Sequence, residues 1–157
     1  MIRTIRHTGI VVTEMEKALA FYRDLLGLAV VLDKEQGNEF LAKLTALPGV
    51  RMRVVMLQAP DGNRVELFQF HSHPKKVRRK IETSDIGCSH VAFAVEDVDR
   101  AFETLSAKGI RFNCAPLVSP DGYAKVAYCH DPDGTLIELV QILNPAGNPY
   151  GAAQTQG

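Results

Sequence analysis

One eight-residue pattern occurs twice in this chain in similar form, and the repetition narrows the folds open to it. Pro60-Asp61-Gly62-Asn63-Arg64-Val65-Glu66-Leu67 returns as Pro132-Asp133-Gly134-Thr135-Leu136-Ile137-Glu138-Leu139. In each copy Pro presets one backbone torsion and Gly accepts a positive φ, so a turn leads into a strand that carries a single glutamate. Upstream, His7-Thr8-Gly9-Ile10-Val11-Val12 is echoed by His90-Val91-Ala92-Phe93-Ala94-Val95, a strand pattern headed each time by a histidine. The histidines lie 83 positions apart and the glutamates 72, which leaves 11 extra residues in the first half. Gly37 to Gly49, around Phe40-Leu41-Ala42-Lys43-Leu44, is where a short inserted helix is expected. The chain reads as one structural unit used twice.

Each copy continues in the same way. Val12-Thr13-Glu14 leads into Met15, Ala18, Leu19, Tyr22 and Leu26 at helical spacing, with Gly27 as the stop; Asp97 opens a helix through Val98, Ala101, Phe102 and Leu105, with Gly109 as its stop. Strands are expected at Leu28 to Asp33, Arg51 to Gln58 and Arg64 to Phe70, then at Ile110 to Asn113, Ala124 to Cys129 and Thr135 to Ile142. The result is a βαβββ unit repeated, hence an α+β fold. We expect a single domain over residues 1–143, with module 1 at about 5–70, a polar linker at 71–87 and module 2 at about 88–143; residues 144–157 form a loosely ordered tail.

Composition excludes several functions. Of 157 residues, Lys plus Arg number 18 and Asp plus Glu 18, so no long-range field favours nucleic acid or an anionic membrane. The run Lys75-Lys76-Val77-Arg78-Arg79-Lys80 is expected to be a solvated linker rather than a phosphate site. No apolar stretch is long enough to span a membrane and no signal-peptide core opens the chain, so a cytoplasmic location is expected. Cys88, Cys114 and Cys129 are odd in number and widely spaced, which suits buried small hydrophobes better than disulfides or a zinc knuckle.

The duplicated histidine and glutamate carry the chemistry. Glu138 sits inside the apolar run Leu136-Ile137-Glu138-Leu139-Val140, and a carboxylate buried there without a cation would be costly. His7, Glu66, His90 and Glu138 together make a candidate site for one divalent ion: Zn, Ni, Co, Mn or Fe. Four ligands in an octahedral shell leave two positions for a substrate with adjacent oxygens, and charge drawn off those oxygens makes a neighbouring carbon acidic. His71 and His73, beside Pro74, are expected to be solvated loop residues, and His130 is assigned no role.

On these residues, from about Ile5 to Leu143, the chain resembles the vicinal oxygen chelate superfamily, which includes glyoxalase I, methylmalonyl-CoA epimerase, extradiol ring-cleaving dioxygenases and the fosfomycin and bleomycin resistance proteins. The resemblance implies paired βαβββ modules that form a curled, partly open eight-stranded sheet around a metal held by His7, Glu66, His90 and Glu138. It also implies a homodimer and a small-molecule substrate that chelates the metal through oxygen. Glu66 in the fourth ligand position is similar to glyoxalase I and favours a metal-dependent isomerase or lyase, with proton transfer through a metal-stabilised enediolate or enolate. In such members the last glutamate shuttles the proton, which assigns that role to Glu138, with Glu66 as the other candidate. Where bacterial glyoxalase I has an Arg and an Asn that contact glutathione, this chain has Val11 and Phe70, so glutathione is not the expected carrier. Tyr128, ten residues before Glu138, resembles the active-site tyrosine of the dioxygenases. An Fe(II) extradiol enzyme using His7, His90 and Glu138 is therefore one alternative, and a non-catalytic binding or resistance protein is another.

Overall fold

The computed structural model describes residues 2–74 and 82–149, so the basic run Lys75 to Lys80 and the end of the tail lie outside the described residues. The chain divides into two compact units, Met1–Ile81 and Glu82–Gly157. The first runs β1 (Thr8–Val11), α1 (Met15–Leu19), β2 (Ala29–Gln36), α2 (Glu39–Thr45), β3 (Met52–Gln58) and β4 (Arg64–Phe70). The second runs β5 (His90–Ala94), α3 (Val98–Ala107), β6 (Leu117–Val118), β7 (Ala124–His130) and β8 (Leu136–Ile142). Both sheets share one topology, β1-β4-β3-β2 in the first and β5-β8-β7-β6 in the second. The outer pair of each, β1 with β4 and β5 with β8, is parallel, and the other pairings are antiparallel. A parallel pair needs a crossover rather than a hairpin, and the helix between supplies it.

The repeated βαβββ unit is thus present. Its eight strands form two four-stranded mixed sheets rather than a single hydrogen-bonded one. The turns follow the Pro-Asp-Gly phrase, with Gly62 at φ 88° and Gly134 at φ 86°, values that only glycine adopts without strain. The inserted helix falls where the extra residues predict it, capped by the Asn38 side chain on the Leu41 N–H at 2.8 Å.

Strand alternation gives each sheet a helix face and a site face. Val65, Leu67 and Gln69 point toward α1; Ile137, Leu139 and Gln141 point toward α3. Leu67 and Ile137 are fully buried and Leu139 almost so. Two side chains tie each helix to its sheet. Gln69 accepts from the Met15 N–H at 2.9 Å and Gln141 from the Val98 N–H at 3.1 Å, so each glutamine satisfies an otherwise unpaired donor at the start of its module's helix. On β3, Arg53 bonds Glu16 of α1 at 2.6 Å and Asp33 of β2 at 2.7 and 2.9 Å; Lys125 of β7 bonds Asp99 of α3 in the corresponding place. The guanidinium hydrogen bond holds the Asp33 carboxyl below its usual range.

Three details depart from the sequence reading. The first helix does not stay α-helical to Leu26: Ala20–Leu25 is π-helical, with the Leu26 N–H bonded to the Phe21 carbonyl at 3.0 Å and Phe21 and Tyr22 both buried edge to face. Ile110 to Asn113 is not a strand. Only a single bridge, Phe112 with Cys129, joins it to the sheet, while its Phe112 ring is turned onto Phe102 of α3; the short edge strand comes later, at Leu117–Val118. Cys129 is buried, and burial raises its thiol to about 11, but Cys114 is exposed and Cys88 half-buried.

Candidate metal centre

Each module brings its own histidine and glutamate together. His7 precedes β1 and Glu66 lies on β4; the parallel register, Thr8 with Val65 and Gly9 with Glu66, places the imidazole beside the carboxylate. His7 Nε2 lies 3.1 Å from Glu66 Oε2. In the second module His90 opens β5, which runs parallel to β8 with Ala92 opposite Glu138, and His90 Nε2 again lies 3.1 Å from Glu138 Oε2. The glutamate side chains are mostly buried, 16% and 18% exposed, while the histidines are 32% and 43% exposed. The four predicted ligands therefore form two matching pairs, one per module. Among the described residues, no three or more His, Cys, Asp or Glu side chains gather as a metal group.

The chemistry of each pair suits a divalent cation. Two metal–ligand bonds of about 2.1 Å meeting at a right angle hold their donors about 3.0 Å apart, close to both observed separations. A mostly buried carboxylate also requires a positive partner. The second nitrogen of His7, Nδ1, is buried and has no hydrogen-bond partner, so Glu66 is the polar contact that fixes this ring.

The surroundings of the two pairs differ. Beside Glu66 on the site face stands Phe68, whose ring crosses Gly9; a Cβ on Gly9 would come within 2.8 Å of it. The other module has Val140 and Ala92 in these places, the smaller ring-side residue with the larger floor residue. Beyond Phe68, Phe70 packs on the cluster of Leu41, Val50, Met52 and Val54, to which α2 contributes Leu41. The inserted helix thus closes one end of the first module's site face. In the second module the corresponding end is open, with Ile142 39% exposed.

Tyr128 is the site residue whose contacts the sequence reading did not foresee. It lies directly across from Glu138 in the β7–β8 register, and its ring meets His90 edge-on, centroids 5.3 Å apart. Burial and the nearby Glu138 carboxylate raise the phenol above its ordinary range. Gln69 and Gln141 were also passed over, although Gln recurs three residues after each glutamate, a repeat signal legible without coordinates.

The other histidines lie elsewhere. His71 bonds Glu35 at 3.1 Å and, with Gln36, Gly37 and Arg51, lines a cavity of about 510 Å³ that includes neither His7 nor Glu66. His73 bonds Ser72. His130 is held by Asn113 and the Gly134 carbonyl, with burial lowering its pKa.

Among the described residues no helix is long and apolar enough to cross a membrane. A family model described as the Glyoxalase/Bleomycin resistance protein/Dioxygenase superfamily matches residues 4–139. A 2-epi-5-epi-valiolone epimerase from Actinomyces sp is 29% identical over 153 residues, covering 93% of this chain and 82% of that protein. A lactoylglutathione lyase from Pseudomonas aeruginosa is 28% identical over 152 residues, covering 86% and 80%. Among solved structures, a glyoxalase family protein from Bacillus cereus superposes with a TM-score of 0.83 at 25% identity, covering 91% of this chain and 96% of that one.

Proposed function

Because the chain belongs to the glyoxalase/bleomycin resistance protein/dioxygenase superfamily, whose members typically use a divalent metal, we propose that it is a divalent-metal-dependent isomerase or lyase. His7, Glu66, His90 and Glu138 hold the ion, two from each module, in a homodimer whose substrate chelates through oxygen. The observation that carries this reading is the matching His–Glu contact at 3.1 Å in each module. A bound divalent ion supplies Lewis-acid polarisation of adjacent substrate oxygens.

The chain's own groups do the rest. One glutamate, Glu138 or Glu66, takes the proton from the carbon beside the substrate oxygen; in an epimerisation the other glutamate delivers a proton to the opposite face, and in an isomerisation the first returns it to the neighbouring carbon. Phe68 and Val140, on the site face beside the two glutamates, keep water from the reacting carbon. Epimerisation is favoured over glutathione-linked chemistry. Phe70 belongs to the apolar cluster under α2, which leaves no amide there to meet a glutathione carrier, and an epimerase is among the relatives.

Solvent exchange tests this. In D2O, a panel of α-hydroxyketones and 2-methyl-malonyl-type thioesters should yield a member that gains deuterium at the acidic carbon, with EDTA abolishing exchange and Co(II), Ni(II), Mn(II) or Zn(II) restoring it. The contact of Tyr128 with His90 and its place opposite Glu138 favour a second reading, Fe(II) ring cleavage; that reading predicts oxygen uptake with a catechol and indifference to Glu66→Gln. Ligand binding that needs no metal and leads to no exchange would support the non-catalytic alternative instead.

A further inference from the structure

The two halves of the site are alike in their ligands and unlike behind them. Across from Glu66 in the β3–β4 register stands Met56, a buried thioether with no proton to donate. Across from Glu138 in the equivalent β7–β8 register stands Tyr128, whose ring also meets the edge of His90. One aromatic side chain therefore lies opposite Glu138 and against the His90 ring, whereas a thioether takes the equivalent place opposite Glu66. His7 even keeps one buried nitrogen without a partner.

We propose that Tyr128 is a positioning residue for the metal site: its hydroxyl holds one Glu138 oxygen and its ring braces His90, so that the second-module pair is preset for a divalent cation. This rests on the four-ligand reading above. A donor on a carboxylate restricts its rotation and leaves the other oxygen aimed at the cation, and partners of this kind typically change metal affinity by about 10- to 100-fold when removed. Met56 gives Glu66 no such restraint, so the two glutamates are held unequally.

Tyr128→Phe removes only the hydroxyl, and Co(II) alone is the probe. The variant should bind Co(II) about 10- to 100-fold more weakly than wild type by calorimetry, with an altered visible Co(II) spectrum and an unchanged urea midpoint. Made in a Glu138→Gln background, the same substitution should change Co(II) affinity less than about twofold, because the hydroxyl acts through that carboxylate. Met56→Leu should leave affinity unchanged. In metal-free protein, Tyr128→Phe should shift the ring-nitrogen NMR signals of His90 and not those of His7. Unchanged Co(II) affinity in Tyr128→Phe, an equal loss in the Glu138→Gln background, or unmoved His90 signals would overturn the positioning role while the four-ligand reading stands. Failure of the wild-type protein to bind Co(II) would overturn both.

Discussion

Glu138→Gln should lower turnover of a deuterium-exchanging substrate by about 10²- to 10⁴-fold, the range over which a positioned acid or base contributes. The amide keeps the shape of the side chain but cannot accept a proton, and it is a poorer ligand for a hard cation. The effect should exceed what the fold loses. Glu138 is not part of the helix-facing core; its neighbours in sequence, Ile137 and Leu139, are. A Glu138→Gln protein with a wild-type urea midpoint and collapsed exchange is the expected outcome. Glu66→Gln should fall in the same direction, and retention of more than a tenth of the activity in both variants would remove the glutamates from the chemistry.

The largest stability effects are expected one residue further along each strand. Leu67 and Leu139 follow the two glutamates and point the opposite way, into the space beneath α1 and α3, with at most 1% of either exposed. Truncating such a leucine to Ala removes its transfer energy and leaves a cavity, a loss of about 2–5 kcal/mol. Against a total stability of about 5–15 kcal/mol for a typical protein, either change alone consumes a large share. Urea denaturation followed by circular dichroism should show both midpoints displaced strongly downward. A loss below about 1 kcal/mol in either variant would mean that the Glu-Leu phrase is not the junction between site face and core.

That phrase explains why so much was legible in the sequence. Alternation along β4 and β8 requires that Glu66 and Leu67, or Glu138 and Leu139, face opposite sides, and Pro-Asp-Gly marks where each strand starts; strand β4 lies at Arg64–Phe70, as its residues predict. The duplicated histidines then fall beside the glutamates because β1 and β5 enter in parallel register. What was not legible depends on partners far away in sequence. Gln69 reaches the helix start across 54 positions, and Phe112 faces α3 instead of extending a strand because Phe102 offers it a ring. The contact of Tyr128 with His90 depends on two strand registers at once. Inserted helix α2 could be placed by counting residues, but not the face it covers, since Leu41 declares an apolar side without naming what it meets.

The central claim is that the two His–Glu pairs serve one divalent ion, and elemental analysis of purified protein tests it most directly. Wild-type protein, and protein stripped and reloaded with Co(II) or Zn(II), should carry one equivalent per chain after extensive dialysis; His7→Ala and His90→Ala, each removing a ligand from a different pair, should both carry far less. Full metal occupancy in either histidine variant, or none in the wild type, would contradict the account.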